Sequence, residues 1–408
     1  MQIINKNNIN QAIIFCGGFG TRIKKITKKV PKPLIKINNK QFIFYLLNYL
    51  SQNDFKEVIL LCHYKSYLFN KYNNKKIGST NIKCIKEKIP LGSAGALVNA
   101  FNILDKKFLV LNGDTFFDFN ILDLCLRFNH KKFDACMAIT NSNGNKYNFV
   151  NESNGFIKTF TKKKNKNCSF INTGFVILKK KLFAKSKKKF SSLENDIYLK
   201  LIKKKKLQGI KYLNKNFLDI GTYRDLKKAN YFFKNIDKKP AAFLDRDGVI
   251  NYDFGYVYKK RNFKWKKKIF EAINFLKNKN YRVFVISNQS GIVRGYYDKK
   301  DVIKLHCWVN SKLRENGGLV DKFYFAEYHP NFSHKKKFSL VEKNLRKPQT
   351  GMIKQCLKEW NVNLKKSFVL GDKKIDELMA DKLRLKFKYV KKNSNLLSLV
   401  KKLTHKYA

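Results

Sequence analysis

The chain has 408 residues, 44% hydrophobic and 14% aromatic, enough for two or three packed cores and too apolar for wholesale disorder. Lys and Arg total 87 against 29 Asp and Glu, a formal charge of +58, which by itself would point to nucleic acid or an anionic surface. Only ten of the cations are Arg, however, and the lysines are spread along the whole length. That pattern reads as compositional bias and solvated faces, so neither nucleic acid binding nor membrane insertion is expected. No run of 18 apolar residues occurs and Met1 to Asn10 lacks a signal-peptide pattern. The cysteines, Cys168 among them, form no CxxC pair. A cytoplasmic, reducing location is the expectation.

In chain order, the apolar run Gln11 to Cys16 predicts a strand that opens into Gly17-Gly18-Phe19-Gly20-Thr21-Arg22, with Pro31-Lys32-Pro33 nine residues later. Glycines let backbone N–H groups approach a polyphosphate, and Arg22 and Lys32 supply countercharge. Further strands are predicted at 58–62, 108–111 and 171–178. A charged, Pro-terminated stretch, Lys234 to Pro240, reads as a linker. Beyond it Ala241 to Leu244 predicts a second strand entering a polar turn, Asp245-Arg246-Asp247-Gly248, followed by strands at 282–286 and 367–370. Two carboxylates at i and i+2, released by a glycine, can face a phosphate and its Mg²⁺, one as nucleophile and one as proton donor. Strands alternating with helical patterns predict an α/β protein of two Rossmann-like domains, residues 1–236 and 237–408, with mainly parallel sheets and ligands at the carboxyl ends of strands.

GGFGTR followed by PKP resembles the sugar-phosphate nucleotidyltransferase family over about residues 10 to 233. The resemblance implies the fold of that family, and in-line attack of a sugar 1-phosphate on the α-phosphorus of a nucleoside triphosphate. It implies phosphate binding by Gly17, Gly18, Gly20 and Thr21, with Arg22 on the departing pyrophosphate and Lys32 at the reacting centre. Gly92, Ser93 and Gly95 of Leu91-Gly92-Ser93-Ala94-Gly95 match its base and ribose loop. Asn172 of Asn172-Thr173-Gly174 and Glu194 of Ser192-Leu193-Glu194 match its sugar contacts. Asp114 of Asn112-Gly113-Asp114 and Asp219 of Asp219-Ile220-Gly221-Thr222 match its Mg²⁺ carboxylates, and hard oxygen ligands suit that ion. Where the family commonly has Glu-Lys, this chain has Thr161-Lys162; Lys162 remains to meet the sugar phosphate.

From about residue 241 to 400, Asp245-Arg246-Asp247-Gly248, Ser287-Asn288-Gln289-Ser290-Gly291, Arg346-Lys347-Pro348 and Gly371-Asp372-Lys373 resemble the haloacid dehalogenase phosphatases. The likeness is to the heptose-bisphosphate and histidinol-phosphate branch, without a large cap. It implies Asp245 as nucleophile, Asp247 as acid/base, Ser287 on a phosphoryl oxygen and Lys347 neutralising the phosphoaspartate. Asp372 would complete the Mg²⁺ site with Asp245 and the Asp247 carbonyl. Asn288, Gln289, Arg346 and Lys373 are candidate substrate contacts. The zinc loop of many members has Ala326, Tyr328, Lys343 and Leu345 at its ligand positions here, so no zinc is expected. Five of the ten arginines, Arg22, Arg224, Arg246, Arg294 and Arg346, lie in or beside motifs, as expected of bidentate phosphate contacts in a lysine-biased chain.

The first half is also similar to guanylyltransferases for D-glycero-D-manno-heptose 1-phosphate. Together the halves imply a bifunctional enzyme, with GTP and heptose phosphates as partners, serving a surface polysaccharide such as lipopolysaccharide. The rival readings are the same chemistries on a hexose 1-phosphate with CTP or UTP or on histidinol phosphate, and a basic binding protein with one inactive half.

Overall fold

The computed structural model describes residues 9–141, 148–162, 170–186, 189–236, 238–335 and 337–405. Most of the leading segment, Cys168, Asp237 of the expected linker and Lys336 lie outside the described residues. The chain separates into two units, the first ending at Lys234 and the second beginning at Asn235. The helix Tyr223–Asn235 runs to that point. The expected linker is therefore corrected at its start: Lys234 and Asn235 are helical, because Leu226, Ala229 and Phe233 bury one face and carry the helix on.

In the first unit the strand Gln11–Phe15 lies between Glu57–Cys62 and Lys107–Asn112, parallel to both. Thr80–Lys86 extends the parallel set and Lys75–Ile77 closes that edge antiparallel. On the other side Phe170–Lys179 runs antiparallel to both Lys107–Asn112 and Ala135–Thr140. Leu207–Lys211 then pairs parallel with Ala135–Thr140, and the hairpin Phe149–Ser153 with Phe156–Thr161 completes ten strands. The expectation of a mainly parallel sheet is thus corrected here: the sheet is mixed, parallel around the glycine-rich turn and largely antiparallel beyond it. An apolar run such as 171–178 reads the same in either direction, so its composition carries no orientation. Ile13, Ile59, Val110, Met137 and Val176 bury one face under helices.

In the second unit all four strand pairings among the described residues are parallel. The order is Lys322–Ala326, Arg282–Asn288, Ala241–Leu244, Phe368–Gly371, Lys386–Tyr389. The direction of winding reverses at Ala241–Leu244, and such a reversal opens a crevice at the strand's carboxyl end. Separate apolar clusters cover the two faces, one including Ala242, Leu244, Val283 and Leu370, the other Phe243, Phe284, Ile286 and Val369. Alternation of inward residues along each strand requires this two-sided burial.

Candidate active sites

At the carboxyl end of Gln11–Phe15 the chain turns through Gly20 at φ 66°, where an added Cβ would press on Thr27 and the Lys32 stem. Glycine is required there by both conformation and space. The turn and the Pro31-Lys32-Pro33 segment bring the Lys32 ammonium to 2.8 Å from Asp114 Oδ2. Gly113 packs on the Phe15 carbonyl and the Pro33 ring, holding Asp114 at the same strand end. Asp219 pairs with Thr115 across two short strands, and the Ile220 N–H donates to the Asp114 carbonyl at 2.9 Å. The Arg22 guanidinium lies beside the Asp219 carboxylate over Gly221. Arg22, Lys32, Asp114 and Asp219 thus gather in one place, with Gly18 and Gly20 on the wall of a neighbouring cavity of about 180 Å³. Thr21 is exposed and Gly17 half-buried on that turn.

A second cavity of about 290 Å³ adjoins it, sharing Phe15, Gly18 and Asn112. Gly92, at φ 71°, and Gly95 leave no room for a Cβ against the Ser191 and Lys189 carbonyls. Ser93 Oγ donates to Glu194 Oε2 at 3.2 Å and accepts the Leu193 N–H at 2.8 Å. Two segments a hundred residues apart are so joined, and Ser93 is bonded to the segment expected to contact the sugar. Asn172 stands at a register shift of Phe170–Lys179; its Oδ1 accepts the Gly174 N–H, and Gly174 faces Asn112. Lys162 is exposed just past the strand Phe156–Thr161.

In the second unit Lys347, almost wholly buried, sits between carboxylates, 2.8 Å from Asp245 Oδ1 and 2.7 Å from Asp376 Oδ1. Burial pushes the Asp245 carboxyl up to about 7, against the pull of Lys347. Burial alone would lower the Lys347 ammonium, but Asp245 and Asp376 together raise it. One ligand atom from each of Asp245, Asp372 and Asp376 fits within 4.8 Å, and among the described residues no other such group of three occurs. Asp372 Oδ1 is buried with no hydrogen-bond partner. Gly248, at φ 88°, makes room for that carboxylate. An orphaned buried oxygen in an all-oxygen cluster fits a hard divalent cation.

Asp247 is held by the Arg246 guanidinium at 2.8 Å, by Asn251 Nδ2 at 2.9 Å and by Gln289 Nε2 at 3.1 Å. Gln289 also donates to Ser287 Oγ at 2.8 Å and accepts from Tyr297 at 2.9 Å. Asn288 exchanges two hydrogen bonds with the Lys347 backbone. Asp247, Ser287, Asn288, Gln289, Tyr297 and Lys347, with Arg346 and Lys373, line a cavity of about 390 Å³. Arg346 donates to the Tyr328 carbonyl at 3.0 Å, and Lys373 pairs with Asp253 at 2.8 Å. The expectation that Arg246 meets phosphate is corrected: it is fully buried, forked onto Asp247 and bonded to the Val257 carbonyl. Its position between two aspartates in sequence places it behind the site. At the expected zinc-loop positions, the Tyr328 ring packs edge-on against Phe338 at 5.3 Å.

Sequence reasoning missed Asp376, Asn251, Asp253 and Tyr297 as parts of this site. Asp376 carried one signal, its place four residues after Asp372 in the first turn of the helix Lys374–Lys382, where it caps Lys373.

Comparison with known proteins finds matches to both halves of the chain. Residues 11–236 match the family model described as nucleotidyl transferase, and residues 242–389 that described as polynucleotide kinase 3 phosphatase. The D-glycero-alpha-D-manno-heptose 1-phosphate guanylyltransferase of Campylobacter jejuni is 38% identical over 175 residues, 42% of this chain and 77% of that protein. The D-glycero-beta-D-manno-heptose-1,7-bisphosphate 7-phosphatase of Rhodopseudomonas palustris is 40% identical over 139 residues, 34% of this chain and 76% of that protein. The crystal structure of HddC from Yersinia pseudotuberculosis is 27% identical, covering 55% of this chain and 100% of that one, with a TM-score of 0.48.

Proposed function

We propose, for a chain that belongs to the nucleotidyl transferase family and also to the family of D-glycero-β-D-manno-heptose-1,7-bisphosphate 7-phosphatases, two successive reactions on one sugar. The second unit removes the 7-phosphate of D-glycero-D-manno-heptose 1,7-bisphosphate. The first joins the resulting 1-phosphate to GMP from GTP and releases pyrophosphate. The carrying observation is the pairing itself: two relatives whose named substrates are linked by loss of one phosphate match different parts of a single chain. Their names carry opposite anomeric prefixes, so the reactions follow one another only if both units accept the same anomer.

In the phosphatase reading, Asp245 attacks phosphorus while the ester oxygen leaves with a proton from Asp247. Water then attacks the phosphoaspartate, giving its proton back to Asp247. Arg246, Asn251 and Gln289 orient Asp247, Ser287 bonds a phosphoryl oxygen, and Lys347 offsets the charge on Asp245. Asn288, Gln289, Arg346 and Lys373 line the substrate's path. Asp245, Asp372 and the Asp247 carbonyl would hold Mg²⁺, which would neutralise charge on the transferring phosphoryl group. The parallel sheet, whose winding reverses at Ala241–Leu244, supports a haloacid dehalogenase fold, which we read as lacking a large cap.

In the transferase reading, a sugar phosphate oxygen attacks the α-phosphorus and the bond to the β-phosphate breaks. Gly17, Gly18, Gly20 and Thr21 hold phosphates, Arg22 takes the leaving pyrophosphate, and Lys32 bridges the reacting phosphates to Asp114. Gly92, Ser93 and Gly95 shape the nucleoside pocket, while Lys162, Asn172 and Glu194 address the sugar phosphate. Asp114 and Asp219 would hold a second Mg²⁺. We place the functional boundary at 236/237, assign no zinc, and assign the protein to the cytoplasm; among the described residues no helix is long and apolar enough to cross a membrane.

The test is incubation of the full chain with each anomer of the heptose bisphosphate, Mg²⁺ and each nucleoside triphosphate, with products weighed by mass spectrometry. GDP-heptose, phosphate and pyrophosphate are expected from GTP. Phosphate release with no nucleotide sugar from any triphosphate would overturn the reading.

A further inference from the structure

The strand Glu57–Cys62 runs parallel to the strand that opens into the glycine-rich turn. Just past its end, Tyr64 and Lys65 are tied to the segment that follows the turn. The Tyr64 hydroxyl donates to the Thr27 carbonyl at 3.0 Å. The Lys65 ammonium donates to the Lys28 carbonyl at 2.5 Å and to the Lys29 carbonyl at 3.3 Å. Three successive carbonyls at the end of the single-turn helix Lys24–Thr27 are so met by side chains from a neighbouring strand end. Thr27 carries the tie inward, its Oγ1 lying 3.0 Å from the Gly20 carbonyl and 3.2 Å from that of Ile23. Gly20 is itself wedged between the Thr27 side chain and the Lys32 stem. The Phe19 ring, on the same turn, lies 5.8 Å from the His63 ring and 5.5 Å from that of Tyr64.

The segment needs outside support. Arg22, Lys24, Lys25, Lys28, Lys29 and Lys32 fall within eleven residues, and no Asp or Glu precedes Asp54. Like charges so close repel one another, and a four-residue helix has too few internal hydrogen bonds to stand alone. Lys65 makes its two bonds from a backbone at φ 48°, a left-handed conformation that a lysine keeps only where surrounding contacts fix it. We infer that Tyr64 and Lys65 are positioning residues for nucleotidyl transfer, holding the glycine-rich turn in the shape that receives a triphosphate. Neither touches the reacting atoms. Tyr64 acts on Gly20 by way of Thr27, and Lys65 ties down the basic segment that leads to Lys32. This rests on the transferase reading above and adds the residues that set its phosphate loop before nucleotide arrives. Preset geometry matters because small misplacements of reacting groups cost large factors in rate.

Calorimetric titration of the full chain with GTP, ATP, CTP and UTP selects the triphosphate bound most tightly. The matching monophosphate is the control, since it lacks the two outer phosphates that the turn would hold. Tyr64→Phe keeps the ring beside Phe19 and removes only the hydroxyl; triphosphate binding should weaken about 3- to 10-fold, the range for one neutral hydrogen bond. Lys65→Met should weaken it about 10- to 100-fold, as for a charged donor, and Lys65→Arg should restore it to within about 3-fold of the natural chain. Monophosphate binding should change less than about 2-fold in all three. In a Thr27→Val background, Tyr64→Phe should cost less than about 2-fold more, because residues acting in series are not additive. Equal loss of both nucleotides overturns the inference, as do additive effects of Tyr64→Phe and Thr27→Val. Full triphosphate affinity in both Tyr64→Phe and Lys65→Met overturns it too, and so does a natural chain that binds no triphosphate. The expected loss without any conversion of heptose 1-phosphate would uphold the inference and sink the reaction proposed above. Conversion with an unaltered triphosphate KM in both variants would do the reverse.

Discussion

Buried ions in the second unit neutralise one another residue by residue, with Lys347 between Asp245 and Asp376 and Arg246 forked onto Asp247. Behind Arg246 lies His306, its Nε2 3.5 Å from the guanidinium and its ring stacked on Phe323 at 4.3 Å. Burial, and then the Arg246 charge, hold the imidazole well below its ordinary pKa. The folded chain therefore refuses a proton that the unfolded chain accepts below about pH 6.5. Above that pH His306 has no effect on stability; below it, stability falls by up to about 1.4 kcal/mol per pH unit until the folded pKa is reached. Urea midpoints at pH 7 and pH 5.5 should diverge less in His306→Phe, which keeps the ring stack and cannot protonate. The same pH slope in both proteins would show that another group is responsible.

Turns after strands set what each element can present. The turn through Gly248 brings its backbone against the Asp372 carboxylate, so Gly248→Ala inserts a methyl group where an oxygen already sits, at a φ that alanine resists. A loss of about 1 to 3 kcal/mol is expected, together with a smaller rise in melting temperature on adding Mg²⁺ than the natural chain shows. An unchanged Mg²⁺ response would place the cation elsewhere. Much of this level was legible beforehand. Strand-to-turn junctions such as Cys16-Gly17 and Leu244-Asp245 announce themselves because apolar run, glycine and charged residue are contiguous. The strand direction at 171–178 and the helical state of Lys234 and Asn235 were not legible, since both depend on what the segment packs against.

Across the whole molecule the two sites should be separable. Asp245→Asn should lower phosphate release by about 10³-fold or more while sparing nucleotide transfer to supplied heptose 1-phosphate, and Lys32→Ala should do the converse. Coupled phosphate and product assays on the full chain read both; loss of both activities in either variant would refute independence. The match of 242–389 to a polynucleotide phosphatase model and the charge of +58 prompt one further measurement. A 3′-phosphorylated oligonucleotide should be cleaved at least about 100-fold less efficiently than the heptose bisphosphate, because relatives 40% identical over three quarters of their length are named for the sugar. Comparable efficiency would give the lysines a nucleic-acid role.

By itself the sequence determined the order of the candidate site residues along the chain. Gly17 to Arg22, Lys32, Asp114, Asp219, Asp245 with Asp247, Ser287, Lys347 and Asp372 follow one another in two separate sets, and spacing within a short turn dictates which backbone and side-chain groups emerge together. Only the tertiary structure decided which groups meet across distance. Lys32 lies on Asp114, Ser93 on Glu194, Asp376 on Lys347, and Arg246 on a carboxylate instead of a phosphate. Whether a charged side chain binds a ligand, a neighbour or water turns on local dielectric and on the nearest opposite charge, and folding creates both.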